Sequence, residues 1–281
     1  MADLKKYRAA GLIGNPVFQS RSPKIHRYWI DRHDIAGDYV LMPVQPENLR
    51  AALRGLVALG FAGCNVTIPH KEAAAKLVDR LDATAQRMGA INLVVVEPDG
   101  SLSGYNKDGY GFMQNLIDGK SNFQAATGPA VVLGAGGGAR SVVVSLLEAG
   151  APEIRLLNRT RARAERLQAE FGGPITVLDW ANRHEALAGA ALLVNTTNQG
   201  MTGQPILDLQ LDALPTAALV CDIVYNPLQP DLLVRAKGRG NPVIGGLGML
   251  LHQARPAFQA WWGVLPEMTP ELRAAVEATI A

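Results

Sequence analysis

Cysteine is nearly missing from this chain: Cys64 and Cys221 are the two it has in 281 residues. Neither stands in a CxxC pair or beside a His cluster, which speaks against a disulfide framework and a zinc site, so no metal is expected. Both read as buried core thiols, the usual state of a free Cys. An excess of either charge is missing as well. The 27 Lys and Arg nearly balance the 25 Asp and Glu, for a net charge of +2. That argues against nucleic-acid or membrane partners held by bulk electrostatics, while a small anionic ligand, which needs only local positive charge, stays open. No apolar run is long enough to span a bilayer. The opening segment, Met1 to Arg8, lacks the apolar stretch of a signal peptide, and a cytoplasmic location is expected. There is no internal repeat and no low-complexity tract. What the chain does have is core material, 48% hydrophobic and 19% charged residues, at a length that suits two domains.

Short strands and helices alternate along it. Ala10 to Ile13 reads as a strand ending at Gly14-Asn15-Pro16. Ser22-Pro23 opens a helix, with Ser22 as N-cap and Pro23 in the first helical position. Strands are expected over 39–44, 63–68 and 90–96, the last followed by the turn Pro98-Asp99-Gly100, and helices over 46–59 and 70–78. A helix over 109–118 bridges to a second region of strand (130–133), helix (140–149), strand (154–157) and helix (161–171). Further buried strands fall at 192–195 and 219–222, and helices at 247–258 and 270–280. Such alternation implies right-handed crossovers and a parallel sheet, an α/β fold.

The second region opens on Val131-Val-Leu-Gly134-Ala-Gly136-Gly137-Gly138-Ala139, a strand, a glycine loop and a helix start. It fits G-x-G-x-x-G/A. Gly134 permits the tight turn, Gly136 lets a pyrophosphate approach the backbone, and Ala139 lets helix and strand pack closely. The helix start offers N–H groups to phosphate. The next strand ends at Asn158-Arg159-Thr160, where an NAD site usually carries Asp or Glu. Arg159, with Arg161 and Arg163 beyond it, suits the 2′-phosphate of NADP instead.

Four polar patches precede that loop: Ser20 with Ser22; Asn65, Thr67 and Lys71; Asn92; and Asn106 with Asp108. Each lies near a strand end, and in an open α/β sheet those ends converge on one crevice. Two hydroxyls by a helix start suit a carboxylate, and the amides, Thr and Asp suit a polyhydroxylated ring. Lys71 and Asp108 suit an acid–base pair. Taken singly these residues also read as a cap, turn residues and a solvated Lys; their joint occurrence beside a nucleotide fold is what points to a site. His26, His33 and His184 read as surface or packing residues, His70 as pointing away from the site, and His252 as a residue lining the cleft.

The pattern resembles the shikimate dehydrogenase family. The segments that carry the resemblance are Gly14-Asn15-Pro16…Ser20-Arg-Ser22-Pro23, Asn65-Val-Thr67-Ile-Pro-His-Lys71, Gly89-Ala-Ile-Asn92, Asn106-Lys-Asp108-Gly109, Gly134 to Ala139, Asn158-Arg-Thr160 and Gly246-Leu-Gly-Met249-Leu250…Gln253. The resemblance implies two domains. One is an N-terminal α/β substrate domain, 1–107, completed by C-terminal helices over 246–281; the other is a Rossmann-like NADP domain, 108–245. It implies that Ser20 and Ser22 bind the substrate carboxylate, that Thr67, Asn92 and Gln253 hold ring hydroxyls, and that Asn65 supports the pocket. By the same resemblance, Lys71 would deliver a proton as hydride moves between nicotinamide and C3 of the ring, with Asp108 as its partner, and Tyr225 and Gly246 would face the substrate and nicotinamide side. The resemblance also implies that NADP is held by Gly134, Gly136, Gly137, Gly138, Ala139, Asn158, Arg159, Thr160, Arg163, Gly246 and Met249.

The implied activity is NADP-dependent, reversible reduction of 3-dehydroshikimate to shikimate, a step toward chorismate and the aromatic amino acids, by a monomer or homodimer. Two positions depart from the family pattern: Leu93 and Lys107 stand where Thr is common. Leu93 reads as a core replacement. Lys107 is expected to lower the pKa of Lys71, to pair with Asp108, or to point to solvent. A relative acting on quinate or another cyclic polyol acid, and an NADP-binding protein without turnover, are the alternatives.

Overall fold

The computed structural model describes residues 7–280; residues 1–6, most of the opening segment read above, and residue 281 lie outside the described residues. The chain divides into two compact units, Met1–Lys107 with Gln253–Thr279, and Asp108–His252 with the last two residues.

The first unit contains β1 (Arg8–Gly14), α1 (Ser22–Arg32), β2 (Gly37–Pro43), α2 (Leu49–Ala58), β3 (Gly63–Val66), α3 (Lys71–Ala75), β4 (Arg80–Leu81), α4 (Ala83–Met88), β5 (Leu93–Val96) and β6 (Leu102–Tyr105). Its six-stranded sheet has the order β2-β1-β3-β5-β6-β4. β1 lies parallel to β2 and β3, and β4 parallel to β6, but β5 runs antiparallel to both β3 and β6. This mixed sheet corrects the expectation of a parallel one. The reason is local: β5 and β6 are joined by a tight turn closed by Gly100 N–H to Glu97 O, 2.9 Å, and Glu97 N–H to Ser101 O, 2.9 Å. Parallel neighbours need a far longer crossover. The reversal brings the start of β5 and the end of β6 to the edge where β1 and β3 end.

Helix starts also differ from expectation. The N-cap of α1 is Arg21, and Ser22 is already helical. The Ser22 N–H is instead met from outside the helix by Ser20 Oγ at 3.2 Å. α3 is only Lys71–Ala75, shorter than expected at both ends. α2 buries Leu49, Leu53 and Leu56 at the expected spacing, after a separate turn of 3₁₀ helix over Pro46–Asn48. These leucines pack with Ile13, Cys64, Val66, Ile91 and Val94 in the core of this unit.

Two C-terminal helices follow, α9 (Leu247–Trp262) and α10 (Pro270–Glu277). The part of α9 from Gln253 onward belongs to the first unit, seven residues later than position 246. His252, just before it, belongs with the second unit, its Nε2 2.8 Å from Asp118 Oδ2 on the helix that opens that unit. Further along, Trp261 Nε1–H donates to Val94 O at 3.1 Å, and Trp29 Nε1–H to Glu267 O at 3.1 Å. Thr269 caps α10 by accepting from the Leu272 N–H.

The second unit contains α5 (Asp108–Gly119), β7 (Ala130–Leu133), α6 (Gly137–Glu148), β8 (Ile154–Leu157), α7 (Arg161–Phe171), β9 (Ile175–Leu178), β10 (Leu192–Asn195), β11 (Leu219–Asp222), α8 (Asp231–Gly238) and β12 (Val243–Ile244). Its sheet is parallel throughout, in the order β12-β11-β10-β7-β8-β9. Counted from β7 this is the 3-2-1-4-5-6 arrangement of the doubly wound nucleotide fold. Strands β7, β8, β10 and β11 begin and end where the apolar runs place them. Nothing in those runs foretold β4, β6, β9, β12, α4 or α8.

Candidate active site

The polar residues of the first unit gather at one edge of its sheet because of the β5 reversal. Asn65, in β3, pairs in register with Leu93 at the start of β5, and Leu93 in turn with Tyr105 at the end of β6. Asn92 and Asn106, flanking those two positions, are therefore neighbours of Asn65. The structure ties them together. Asn65 Nδ2–H donates to Asn92 O at 3.0 Å. Asn92 Nδ2–H donates to Gln253 Oε1 at 3.1 Å, and Asn106 Nδ2–H to Ala90 O at 3.0 Å. Ser20 and Ser22 present their hydroxyls 3.2 Å apart.

Lys71 is the first residue of α3, half-buried, and its carbonyl accepts from the Ile91 N–H at 3.1 Å, next to Asn92. Thr67 takes its place through its own N–H, which donates to Ile13 O at 2.9 Å. Gly14 makes room for it: a Cβ there would stand 2.4 Å from Thr67 Cγ2. His70 is buried with its Nε2 2.7 Å from Val44 O, a packing role.

The two family departures resolve differently. Leu93 is 1% exposed and sits inside the sheet as core. Lys107 pairs neither with Asp108 nor with bulk water alone. Its Nζ lies 3.4 Å from Asp82 Oδ2 and over the Tyr105 ring, 5.2 Å from the centroid. Its backbone N–H donates to Asn92 Oδ1 at 2.8 Å.

Sequence reasoning missed Tyr39. This fully buried residue of β2 donates its phenolic O–H to Asn65 Oδ1 at 2.7 Å. The signal was indirect: a buried Asn needs a donor for its carbonyl oxygen, and Tyr39 is a polar-tipped aromatic two strands away in the same sheet. His26 packs against it, rings 4.2 Å apart and 11° from parallel. Burial pushes the His26 imidazole down to about 3. This is a packing histidine, as read. His33 and His184 are at least partly exposed.

In the second unit the glycine loop lies between β7 and α6. Gly134 has φ +107, a conformation other residues rarely adopt, and a Cβ on it would meet Thr196 Oγ1 at 2.5 Å. Gly136 and Gly137 differ: a Cβ on either meets nothing within 4 Å, so open space lies above the backbone at the start of α6. Asn158 links this loop to the end of β8, its Oδ1 accepting from the Ala135 N–H at 3.2 Å and its Nδ2–H donating to Thr160 O at 2.9 Å. Arg161 is occupied by Glu165 at 2.7 Å and Asp179 at 2.8 Å. Arg159 and Arg163 are exposed and make no ion pair among the described residues.

Asp108, at the start of α5, is buried. Gly246 packs so tightly under the turn after β11 that a Cβ would stand 2.2 Å from Ile223 O. That turn carries Tyr225, and Met249 follows on α9, both half-buried. A second residue missed from sequence shapes the turn. Asp222 accepts from Asn195 Nδ2–H at 3.0 Å and from the Val224 N–H at 2.9 Å, and burial raises its carboxyl to about 6. His252 does not line a cleft; it is 3% exposed and bound to Asp118. No group of His, Cys, Asp and Glu among the described residues is arranged to hold a metal ion.

Known proteins match the chain in both units. The family model described as the shikimate dehydrogenase substrate binding domain matches residues 12–94, and the one described as shikimate / quinate 5-dehydrogenase matches 118–210. A shikimate dehydrogenase (NADP(+)) of Paramagnetospirillum magneticum is 56% identical over 271 residues, covering 96% of this chain and 98% of that protein. Among solved structures, shikimate 5-dehydrogenase from Thermus thermophilus in complex with NADP(H) and shikimate is 35% identical, with a TM-score of 0.86 over 97% of this chain and 100% of that one. Quinate dehydrogenase from Corynebacterium glutamicum in complex with NAD is 27% identical, with a TM-score of 0.90 over 97% and 100%. Matches of this extent, on both halves of the chain and in one order, have one reading: the chain belongs to the shikimate dehydrogenase family.

Proposed function

We propose that this chain is an NADP-dependent dehydrogenase that reversibly reduces 3-dehydroshikimate to shikimate, in the route to chorismate and the aromatic amino acids. The observation that carries the reading is the polar edge of the first unit. There Asn65, Asn92 and Gln253 are joined by hydrogen bonds beside the Lys71 helix start, and the paired hydroxyls of Ser20 and Ser22 belong to the same unit. Identity of 56% to a shikimate dehydrogenase along nearly the whole chain supports it.

The residues of the second unit fit NADP. Open space above Gly136 and Gly137 admits a pyrophosphate to the N–H groups that start α6. Arg159 and Arg163, exposed and without carboxylate partners, suit a 2′-phosphate. No Asp or Glu stands at the end of β8 to favour the free ribose hydroxyl. Gly134, Gly138 and Ala139 shape the loop, Asn158 and Thr160 hold its neighbour, and Gly246 and Met249 serve the nicotinamide side. When bound, the cofactor supplies or accepts hydride at the ring carbon.

The chain's own residues then do the rest. Ser20 and Ser22 donate to the substrate carboxylate. Thr67, Asn92 and Gln253 hold ring hydroxyls, Asn65 supports them, and Tyr225 completes the set. The Lys71 ammonium gives a proton to the substrate oxygen as it gains charge, and Asp108 shares in that transfer. The enzyme so read works in the cytoplasm on a small molecule, as a monomer or a homodimer.

The test is reduction of NADP+ by the purified protein with shikimate and with quinate, repeated with NAD+. Turnover with shikimate and NADP+ well above the other three pairs is expected. Faster turnover with quinate and NAD+ would move the chain to the quinate branch of its family, and no turnover with any pair would leave an NADP-binding protein without this chemistry.

A further inference from the structure

One phenol holds the buried amide at the centre of the proposed substrate pocket. Ser20 Oγ–H donates to Ser22 Oγ at 3.2 Å. Tyr39 O–H donates to Asn65 Oδ1 at 2.7 Å, and Asn65 Nδ2–H to Asn92 O at 3.0 Å. Tyr39 is itself immobilised. It is 0% exposed, stacks on His26 at 4.2 Å and lies 6.0 Å from the Trp261 ring centroid. Its strand is paired along its whole length with β1, Tyr39 opposite Ala10.

We infer that Tyr39 is a positioning residue of the substrate pocket, its phenol oxygen setting Asn65 and, through Asn65, Asn92. The inference rests on the substrate reading above and adds a residue to it. The buried amide of Asn65 has its carbonyl oxygen satisfied by Tyr39 and its N–H by Asn92, so its orientation is determined at both ends. A side chain held this way presents its neighbours already arranged, and the binding step does not have to order them.

Tyr39→Phe removes the oxygen and keeps the ring and its stack. A lost buried hydrogen bond of this kind corresponds to roughly five- to tenfold in an equilibrium constant. The Michaelis constant for shikimate is expected to rise by about that factor, while that for NADP+ and the urea midpoint of the second unit stay as they are. In an Asn65→Leu background the Tyr39→Phe change should add nothing further, because its effect passes through Asn65. An unchanged shikimate constant in Tyr39→Phe, or equal rises for shikimate and NADP+, overturns the inference. Should Tyr39→Phe fail to fold, Asn65→Leu alone carries the test with the same required split. If the unmodified protein does not turn over shikimate, it is the substrate reading that fails, and the two failures are told apart by that control.

Discussion

Acid should weaken the first unit through His26, by an amount the structure sets. The imidazole is fully buried among Trp29, Tyr39, Phe258 and Trp261. Burial pushes its pKa from 6.5 down to about 3, with Asn65 opposing weakly. The folded protein therefore refuses a proton that the unfolded chain takes up at its ordinary value. Stability is at its full level above the unfolded pKa and falls as pH drops below it, by about 1.4 kcal/mol per unit, until the folded pKa is reached. Between pH 7.5 and pH 5 the loss is about 2 kcal/mol, a large share of a total that is typically 5–15 kcal/mol.

The assay is urea unfolding followed by tryptophan fluorescence at both pH values. Three of the four tryptophans, Trp29, Trp261 and Trp262, lie in the first unit, so the signal reports mainly there. His26→Leu supplies the comparison: it is apolar and cannot protonate. Other groups titrate equally in both proteins, so the difference between them isolates His26. The unmodified protein should lose about 2 kcal/mol more than His26→Leu on acidification. Parallel losses in the two proteins would refute the reasoning and show that the ring is hydrated or partnered when charged.

Asp222 has the opposite sign. Its folded pKa is raised to about 6 by burial, so the native state holds a proton that the unfolded chain has released, and stability rises as pH falls from 7 toward 4; Asp222→Asn should abolish a gain of roughly 2–3 kcal/mol, read from Trp180 fluorescence or hydrogen exchange in the second unit. Lys71→Ala should cut turnover by roughly 10² to 10⁴ while leaving NADP+ binding intact, and undiminished turnover would remove Lys71 from the proton transfer. Arg159→Ala should raise the Michaelis constant for NADP+ by about 10- to 100-fold and leave that for NAD+ nearly unchanged; equal effects would contradict a 2′-phosphate contact. Lys107→Thr should change kcat/KM for shikimate by less than about threefold, since the half-exposed pair with Asp82 is worth at most about 1 kcal/mol, and a tenfold rise would show that the ammonium reaches the site.

Much of the second unit was legible because its strands are buried on both faces. Val131 to Leu133, Leu156 to Leu157 and Leu192 to Val194 are unbroken apolar runs, and a run of that kind between turn residues admits few other readings. Strands β4 and β12 contain two residues each, too few to show a period. The first unit misled in a more instructive way. The residue pattern alone places Asn65, Asn92 and Asn106 at or near strand ends in a parallel sheet. Asn92 in fact precedes its strand, and only because β5 is reversed does a residue before a strand reach the same edge as one near a strand's end. The glycine loop was legible as a motif, since its function depends on backbone shape. Tyr39 and Asp222 were not, because their parts in the structure depend on partners 26 and 27 residues away in sequence, and spacing alone says nothing of such distant pairs.

Lys107 shows why a departure from a family pattern need not disturb the site it borders. The structure uses this position through its backbone: the N–H donates to Asn92 Oδ1 at 2.8 Å. Any residue except proline supplies that donor. It fixes the Asn92 amide, whose Nδ2 then faces Gln253 Oε1. The ammonium is led elsewhere. Asp82 takes it, and the same carboxylate already caps α4 by accepting from the Ala85 N–H at 2.8 Å through its other oxygen. The Tyr105 ring beneath adds a face on which a cation rests favourably. A threonine at 107 keeps the N–H and leaves Asp82 to its cap. The side chain can therefore change while the orientation of Asn92, which the proposed chemistry depends on, stays as it is.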